Sequence, residues 1–355
     1  MGRHLLNVLL ELHKLGSIEI EVFGSKEIMG ADGKIRRDSP LHVFSGNAYP
    51  CSQRMMQNIW KWVPFPKYTT WCPESDWLYC PNEAYVPSGR TPFACTVHDL
   101  YSVDPEVQGL AAVKSLRSRK LLPRLFRAAE RILCVSDFTR GRVRELFGVE
   151  DEKLHVVGNG VDERYLSFDR AGAESPVGSP YLLSIGGFRR KKGAEFMIAL
   201  APELARRMPE HRWIVIGPVD PEYREAVSEL SNVVPVARGL SDAEMIRYSA
   251  FADAFLMLSL YEGFGIPVLE SMALRVPVAI SSAAALTEVA GEAAVVLDTA
   301  SLEEAAGRTA ALIEDADVRN RFISAGRKRA EEFTWKSCAT KVLAALSRGP
   351  KIKAA

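Results

Sequence analysis

The stretch Ser259-Leu260-Tyr261-Glu262-Gly263-Phe264-Gly265-Ile266-Pro267-Val268-Leu269-Glu270 decides the reading of the fold. Ahead of it, Ala254-Phe255-Leu256-Met257 is apolar and reads as a buried strand. After it, Val268-Leu269-Glu270-Ser271-Met272-Ala273 reads as helix. The result is strand, Gly-punctuated turn and helix, with Glu262 and Glu270 on either side of the junction. Pro267 suits the first helical position, where a missing N–H costs nothing. Gly263 and Gly265 let backbone approach a ligand with no Cβ in the way. A helix N-terminus offers unpaired N–H groups and partial positive charge to an anion. In an open α/β sheet the ligand lies at the carboxyl ends of the strands. The turn therefore reads as a holder for a sugar attached to a diphosphate.

Outward from this turn, a strand–helix series fills the second half. Strands are expected at Tyr181–Ile185, Trp213–Ile216, Val233–Val236, Ala254–Leu258, Val278–Ile280 and Ala294–Leu297. Helices are expected near 192–207, 220–230, 242–250, 267–274, 284–290 and 301–314. The first strand runs into Gly186-Gly187-Phe188-Arg189-Arg190-Lys191-Lys192-Gly193. Arg and Lys make strong charge-assisted hydrogen bonds to phosphate oxygens. The spacing is neither the dinucleotide fingerprint nor the P-loop. A solvated charge run is the plainer reading, but two glycines at a strand end favour phosphate.

The first half alternates in the same way, so a parallel, doubly wound sheet is expected there too. Its helix begins at the start of the chain and ends near Gly16, followed by strands at Ile18–Phe23, Leu41–Phe44, Asp76–Cys80, Phe93–Val97, Ile132–Val135 and Leu154–Val157. Helical stretches fall at 105–130 and 137–147, while 45–75, rich in Trp, Pro and Tyr, carries no clear assignment. His98-Asp99 follows a strand and suits contact with a sugar or phosphate as well as it suits a structural role. Ser136-Asp137-Phe138-Thr139 reads as a helix cap first. Gly158-Asn159-Gly160 reads as a turn. Residues 166–180, polar and rich in Gly, Pro and Ser, read as a linker. Domains of 1–165 and 181–333 follow, with a last helix and tail at 334–355.

The totals narrow the function. At 355 residues the chain has room for two cores, and its formal net charge of +1 supplies no field toward nucleic acid. Six cysteines without a C-x-x-C pair read as reduced thiols of a cytosolic protein, with no zinc site. No apolar run reaches membrane-spanning length, and the N-terminus does not read as a signal peptide. Residues 114–131 carry seven cations against Glu130, interleaved with leucines. A solvated helix face is the plainer reading of that segment, with peripheral contact to an anionic membrane second.

Taken together, these motifs resemble the retaining glycosyltransferases of group 1 (family four). The resemblance rests first on Tyr261–Ala273 with Val276-Pro277-Val278. It extends through Ser184–Gly193, Thr96–Leu100, Arg131–Thr139, His155–Asp162 and Leu286–Ala294. It implies the GT-B fold: two Rossmann-like domains facing a cleft, nucleotide on the C-terminal one and acceptor on the N-terminal one. It implies that Glu262 contacts the donor sugar and Glu270 the ribose. Arg190, Lys191 and Lys192 would neutralise the diphosphate, and Gly186, Gly187, Gly263, Phe264 and Gly265 would shape the donor site. Leu286, Thr287 and Glu288 would lie near the phosphates, Arg238-Gly239-Leu240 near the base, and His98 would reach the sugar from the other domain. No cofactor or metal is implied. The donor is a nucleotide diphosphate sugar, GDP-mannose as the first choice, and the acceptor a saccharide or lipid-linked group. Transfer would retain anomeric configuration.

Three departures stand out. Family members begin with a strand and Gly-rich turn before the helix that here starts at Gly2-Arg3, so the N-terminal domain is expected to lack its first strand. Arg275 stands where Gly is usual, and Gly187 where Arg is frequent. The first departure keeps open an inactive sugar-nucleotide-binding or accessory subunit, and the fold keeps open a nucleotide-sugar epimerase. The expected location is cytoplasmic, with peripheral contact at the inner face of the cell membrane.

Overall fold

The computed structural model describes residues 2–30, 32–108, 115–237 and 239–347. Two compact units form, Met1–Gly160 with Trp335–Ala355, and Val161–Thr334. Lys114, the first cation of the 114–131 segment, and Arg238 lie outside the described residues.

The first unit starts with helix α1 (Gly2–Leu15), which buries Val8, Leu9 and Leu12 and packs against the Trp335–Ser347 helix. Strands β1 (Glu21–Ser25) and β2 (Ser45–Tyr49) form a parallel pair, with Glu21 opposite Ser45. The strand expected at Leu41–Phe44 is thus displaced to Ser45–Tyr49. Leu41 and Phe44 instead pack with Leu9 and Ile35. Within the unassigned 45–75 region, helix α2 (Gln53–Trp62) is capped by Ser52, whose Oγ accepts from Met55 N. It buries Met56 and Trp60, one turn apart.

Strands β3 (Leu78–Cys80), β4 (Phe93–Val97), β5 (Arg131–Cys134) and β6 (Leu154–Val156) form a second parallel sheet in that order. Every residue of β4 is buried. The Ser136 reading holds, because its Oγ accepts from Thr139 N at the start of the Asp137–Phe147 helix. Of the expected 105–130 helix, Pro105–Gln108, Arg117–Leu121 and Leu122–Ala128 are helical, the middle piece with π-type turns. Leu122, Leu125 and Phe126 are buried there and belong to the core, whereas Leu121 is half-buried and Leu116 exposed.

The second unit holds one six-stranded parallel sheet. Its strands are β7 (Tyr181–Ile185), β8 (Arg212–Ile216), β9 (Val233–Val236), β10 (Ala254–Met257), β11 (Val278–Ile280) and β12 (Val295–Val296). Their order is β12-β11-β10-β7-β8-β9. The winding reverses between β7 and β10, the topological switch point of a doubly wound sheet. Helices Ala194–Arg207 and Leu302–Glu314 pack on one another beside the sheet and share its core through Leu200, Leu204, Trp213, Leu256 and Leu312.

A sixteen-residue helix, Ala316–Glu331, has no counterpart in the sequence reading. It buries only Gly326 and Ala330, so its apolar period is too weak to read. By contact the first unit ends at Gly160, and residues 166–180, read as a linker, lie within the second unit. Arg170 Nη2 donates to Leu274 O, and the Arg247 guanidinium donates to Glu174 O. These bonds tie the polar segment down despite its composition.

Candidate functional site

The two chemistry-bearing turns of the second unit leave neighbouring strands. β7 and β10 pair directly, Leu182 opposite Ala254 and Leu183 opposite Phe255. Parallel pairing brings both carboxyl ends to the same edge of the sheet. Residues 186–193 therefore meet residues 258–265, and Leu260 N donates to Lys191 O at 2.9 Å. The contact is close enough to require glycine. A Cβ on Gly193, whose φ is +77°, would fall 2.0 Å from Leu258 O. Gly187 has φ +75°, and a Cβ there would fall 2.0 Å from Pro218 O. No side chain fits that position in this loop.

Glu262 is the hub. It is buried, and its Oε1 accepts from Lys192 Nζ at 2.6 Å and from Ser259 Oγ at 2.8 Å. Ser281 Oγ, from the end of β11, donates to Ser259 O at 2.6 Å and fixes the turn from below. Of the four consecutive cations, Arg189 and Arg190 are exposed and Lys191 and Lys192 half-buried. Arg189 Nε stands 3.8 Å from Asp220 Oδ1. Arg190–Lys192 forms a single 3-10 turn leading into the Ala194–Arg207 helix. A Lys–carboxylate pair at this depth is a held charge with a fixed direction, available to a ligand that carries both hydroxyls and phosphates.

The Ile266–Ala273 helix starts immediately after Gly265, whose φ is +102°, which sets Pro267 at the second helical position, one residue past the expected first. Glu270 is buried inside that helix. Phe264 is buried with its ring 5.7 Å from Phe333, edge to face, so its backbone rather than its side chain is available to a ligand. Leu286 is also buried, and its Cδ2 would lie 2.6 Å from a Cβ on Gly265. That contact brings the Ala284–Ala290 helix to the turn. The amides of Leu286 and Thr287 already donate to Ala283 O, and Thr287 Oγ1 donates to Ala284 O. The first-turn amides of this helix, at Ala284 and Ala285, are the ones without an acceptor inside it. Arg329 secures the other end of that helix, donating to Val289 O and Glu288 O.

His98 belongs to the first unit, at the carboxyl end of β4. Its Nε2–H donates to Pro81 O at 2.8 Å, which leaves Nδ1 as the acceptor, and its backbone N–H donates to Glu83 Oε1 at 2.7 Å. Burial holds its pKa below the usual histidine range. His4 of α1 stands edge-on to it, ring centroids 5.0 Å apart. His4 shares hydrogen bonds with Asn159 Oδ1 at 2.8 Å and with the Tyr79 hydroxyl at 3.2 Å. Burial, and then His98, press the His4 pKa down to about 4.

Sequence reasoning did not single out Ser259 as a ligand of Glu262, nor Ser281, Glu83, His4 or Asn159 as partners. Ser259 lay inside the quoted motif, three residues ahead of Glu262. The others answer to strand order and helix docking, which a linear pattern does not carry. Among the described residues no group of three or more His, Cys, Asp or Glu is gathered to hold a metal.

Comparison with known proteins places both halves. Residues 167–329 match the family described as glycosyl transferases group 1, and residues 1–165 match glycosyltransferase family 4. An MMP alpha-(1->4)-mannosyltransferase of Mycolicibacterium hassiacum is 30% identical over 71% of this chain and 64% of its own length. A GDP-mannose-dependent alpha-(1-6)-phosphatidylinositol monomannoside mannosyltransferase of Mycolicibacterium smegmatis is 27% identical over 65% of each. The chain thus spans just under two thirds of both relatives. Among solved structures, WaaG, a glycosyltransferase involved in lipopolysaccharide biosynthesis, shares the fold. Its TM-score is 0.72 at 16% identity, over 98% of this chain and 96% of that one. With both halves matched in order, the chain belongs to the group-1, family-four glycosyltransferases.

Proposed function

We propose that the protein transfers a hexose, mannose in the first instance, from a nucleoside diphosphate sugar to a saccharide or lipid-linked acceptor, with retention at the anomeric carbon. The observation that carries this reading is the part-buried Lys192–Glu262 pair at the switch point of the second sheet, beside two helix starts. Hydroxyl-binding carboxylate and phosphate-binding cation then sit one hydrogen bond apart, as a sugar diphosphate needs. The two mannosyltransferase relatives, one named for GDP-mannose and a phosphatidylinositol mannoside, support the choice of sugar, base and acceptor class.

In this reading Glu262 accepts from donor-sugar hydroxyls, and Glu270 from the ribose. The C1–O bond to the β-phosphate breaks with its electron pair going to the phosphate oxygen. Lys192, Arg190 and the neighbouring helix N-termini stabilise that developing charge without a divalent ion. The acceptor hydroxyl attacks C1 from the face the diphosphate leaves, and its proton passes to the departing phosphate oxygen. His98, neutral and with Nδ1 as acceptor, orients a sugar hydroxyl. The test is GDP release from GDP-mannose across saccharide and polyprenyl or phosphatidylinositol glycoside acceptors, with linkage analysis of the product. GDP-mannose turnover that yields only free mannose, or an isomerised nucleotide sugar, would overturn the proposal.

A further inference from the structure

The three most exposed large apolar side chains among the described residues, Trp62 at 67%, Phe65 at 64% and Met55 at 56%, lie in one short stretch of the first unit. The cause is a helix with two apolar stripes. Met56 and Trp60 point α2 into the core, while Met55, Ile59 and Trp62, at spacings of four and three, form a second stripe facing outward. The stripe runs on through Val63 and lines a groove of about 630 Å³ with Ser52, Arg54 and Asn58. The loop beyond is held in place, since Trp60 Nε1 donates to Pro66 O at 2.9 Å. Phe65 is thus presented outward from an anchored loop.

Within the two chain segments at this face the charge has one sign. Residues 53–70 contain Arg54, Lys61 and Lys67 and no acid, and residues 115–129 contain Arg117, Arg119, Lys120, Arg124 and Arg127 and no acid. The two segments are stitched together. Arg124 Nη1 donates to Trp60 O and Lys61 O at 3.4 Å each, and the guanidinium lies 4.3 Å over the Tyr85 ring. Since Leu122, Leu125 and Phe126 are in the core, Arg119, Lys120 and Arg127 are left on the outer side.

We infer that this face docks on an anionic lipid bilayer. Trp62, Phe65, Met55 and Val63 enter the headgroup layer, and the surrounding cations meet lipid phosphates. A second copy of the chain is a poorer occupant, because it would set cations against cations. No described helix is long and apolar enough to cross a membrane, so the contact is with the surface. The inference does not depend on the transfer reading, since it is measured without substrate.

Flotation tests it, using vesicles of phosphatidylcholine alone and of phosphatidylcholine with phosphatidylglycerol. The protein should float with the anionic vesicles only, and less as salt rises. Trp62→Ser with Phe65→Ser should lower partitioning roughly tenfold or more, from the apolar burial lost. Arg119→Glu with Lys120→Glu should lower it about fivefold or more for each cation removed. Thermal unfolding of each variant should match the parent. Failure to float with anionic vesicles would overturn the inference. So would flotation of the Trp62/Phe65 variant at the parent level. Lipid-free self-association that the same variant abolishes would assign the face to a second copy and overturn it too.

Discussion

Glu262 carries two hydrogen bonds on one oxygen, and each partner implies a different measurement. Glu262→Gln keeps the shape and removes the charge, so transfer should fall about a hundredfold or more. Nucleoside diphosphate binding should hold or tighten, because Lys192 is released toward phosphate. Turnover near the parent level would remove Glu262 from the mechanism. Lys192→Met should weaken nucleoside diphosphate binding roughly tenfold or more, with nucleoside binding unchanged. Equal loss of both would deny Lys192 a phosphate role. Away from this pair, Arg275 has φ +61° just past the Ile266–Ala273 helix, with its N–H donating to Met272 O. That is the position where a left-handed glycine closes a helix. The left-handed conformation costs a side chain about 1–2 kcal/mol, and glycine's extra unfolded-state freedom costs about 0.5–1 kcal/mol. Arg275→Gly should therefore raise stability by about 0.5–1 kcal/mol in chemical denaturation.

Among the elements, the 186–193 loop depends on the nearness of β7 and β10. Gly193→Ala places a methyl on Leu258 O and should part the loop from β10, costing about 2 kcal/mol or more and nucleotide binding with it. Helix α1 is sensitive to acid through His4. Its folded pKa, about 4, lies below the ordinary 6.5, so between those values the unfolded chain binds the extra proton. Stability contributed by neutral His4 is complete above pH 6.5 and is lost as pH falls toward about 4, a total of about 3 kcal/mol. Denaturation at stepped pH should show the slope, and His4→Gln should flatten it. Elements set by local pattern were legible in the sequence: β10, its Gly-Phe-Gly turn and the Pro267 helix follow from an apolar run and two kinds of punctuation. Elements set by partners were not. β2 took its place opposite β1, the Ala316–Glu331 helix is polar around most of its surface, and residues 166–180 are held by bonds to Leu274 and Arg247, both distant in sequence. The Lys192–Glu262 pair falls between these cases. Both residues were readable as ligands, but their contact follows from the crossover that sets β10 beside β7.

At the scale of the molecule, both α/β units are built on parallel sheets, two described in the first and one in the second, and the second holds the Lys192–Glu262 pair and the Pro267 helix. Nucleotide binding should therefore stabilise the second unit by mass action, about 2.7 kcal/mol at a hundredfold excess over Kd. A thermal-shift series in which GDP outranks UDP and ADP would support GDP-mannose as donor, and UDP in first place would move the proposal to another sugar.

The cysteines are divided unevenly between these units. All six lie in the first, Cys338 included, and Val161–Thr334 has none. Burial pushes Cys72 and Cys80 up to about 11 and Cys338 to about 12, and it raises Cys95 and Cys134 as well. A thiolate is the reactive form, so these five react with alkylating reagents chiefly when their surroundings open. Mass-resolved alkylation is therefore a clock that ticks for one half of the chain and is silent for the other. With it, the opening of the first unit can be timed while a nucleotide occupies the second.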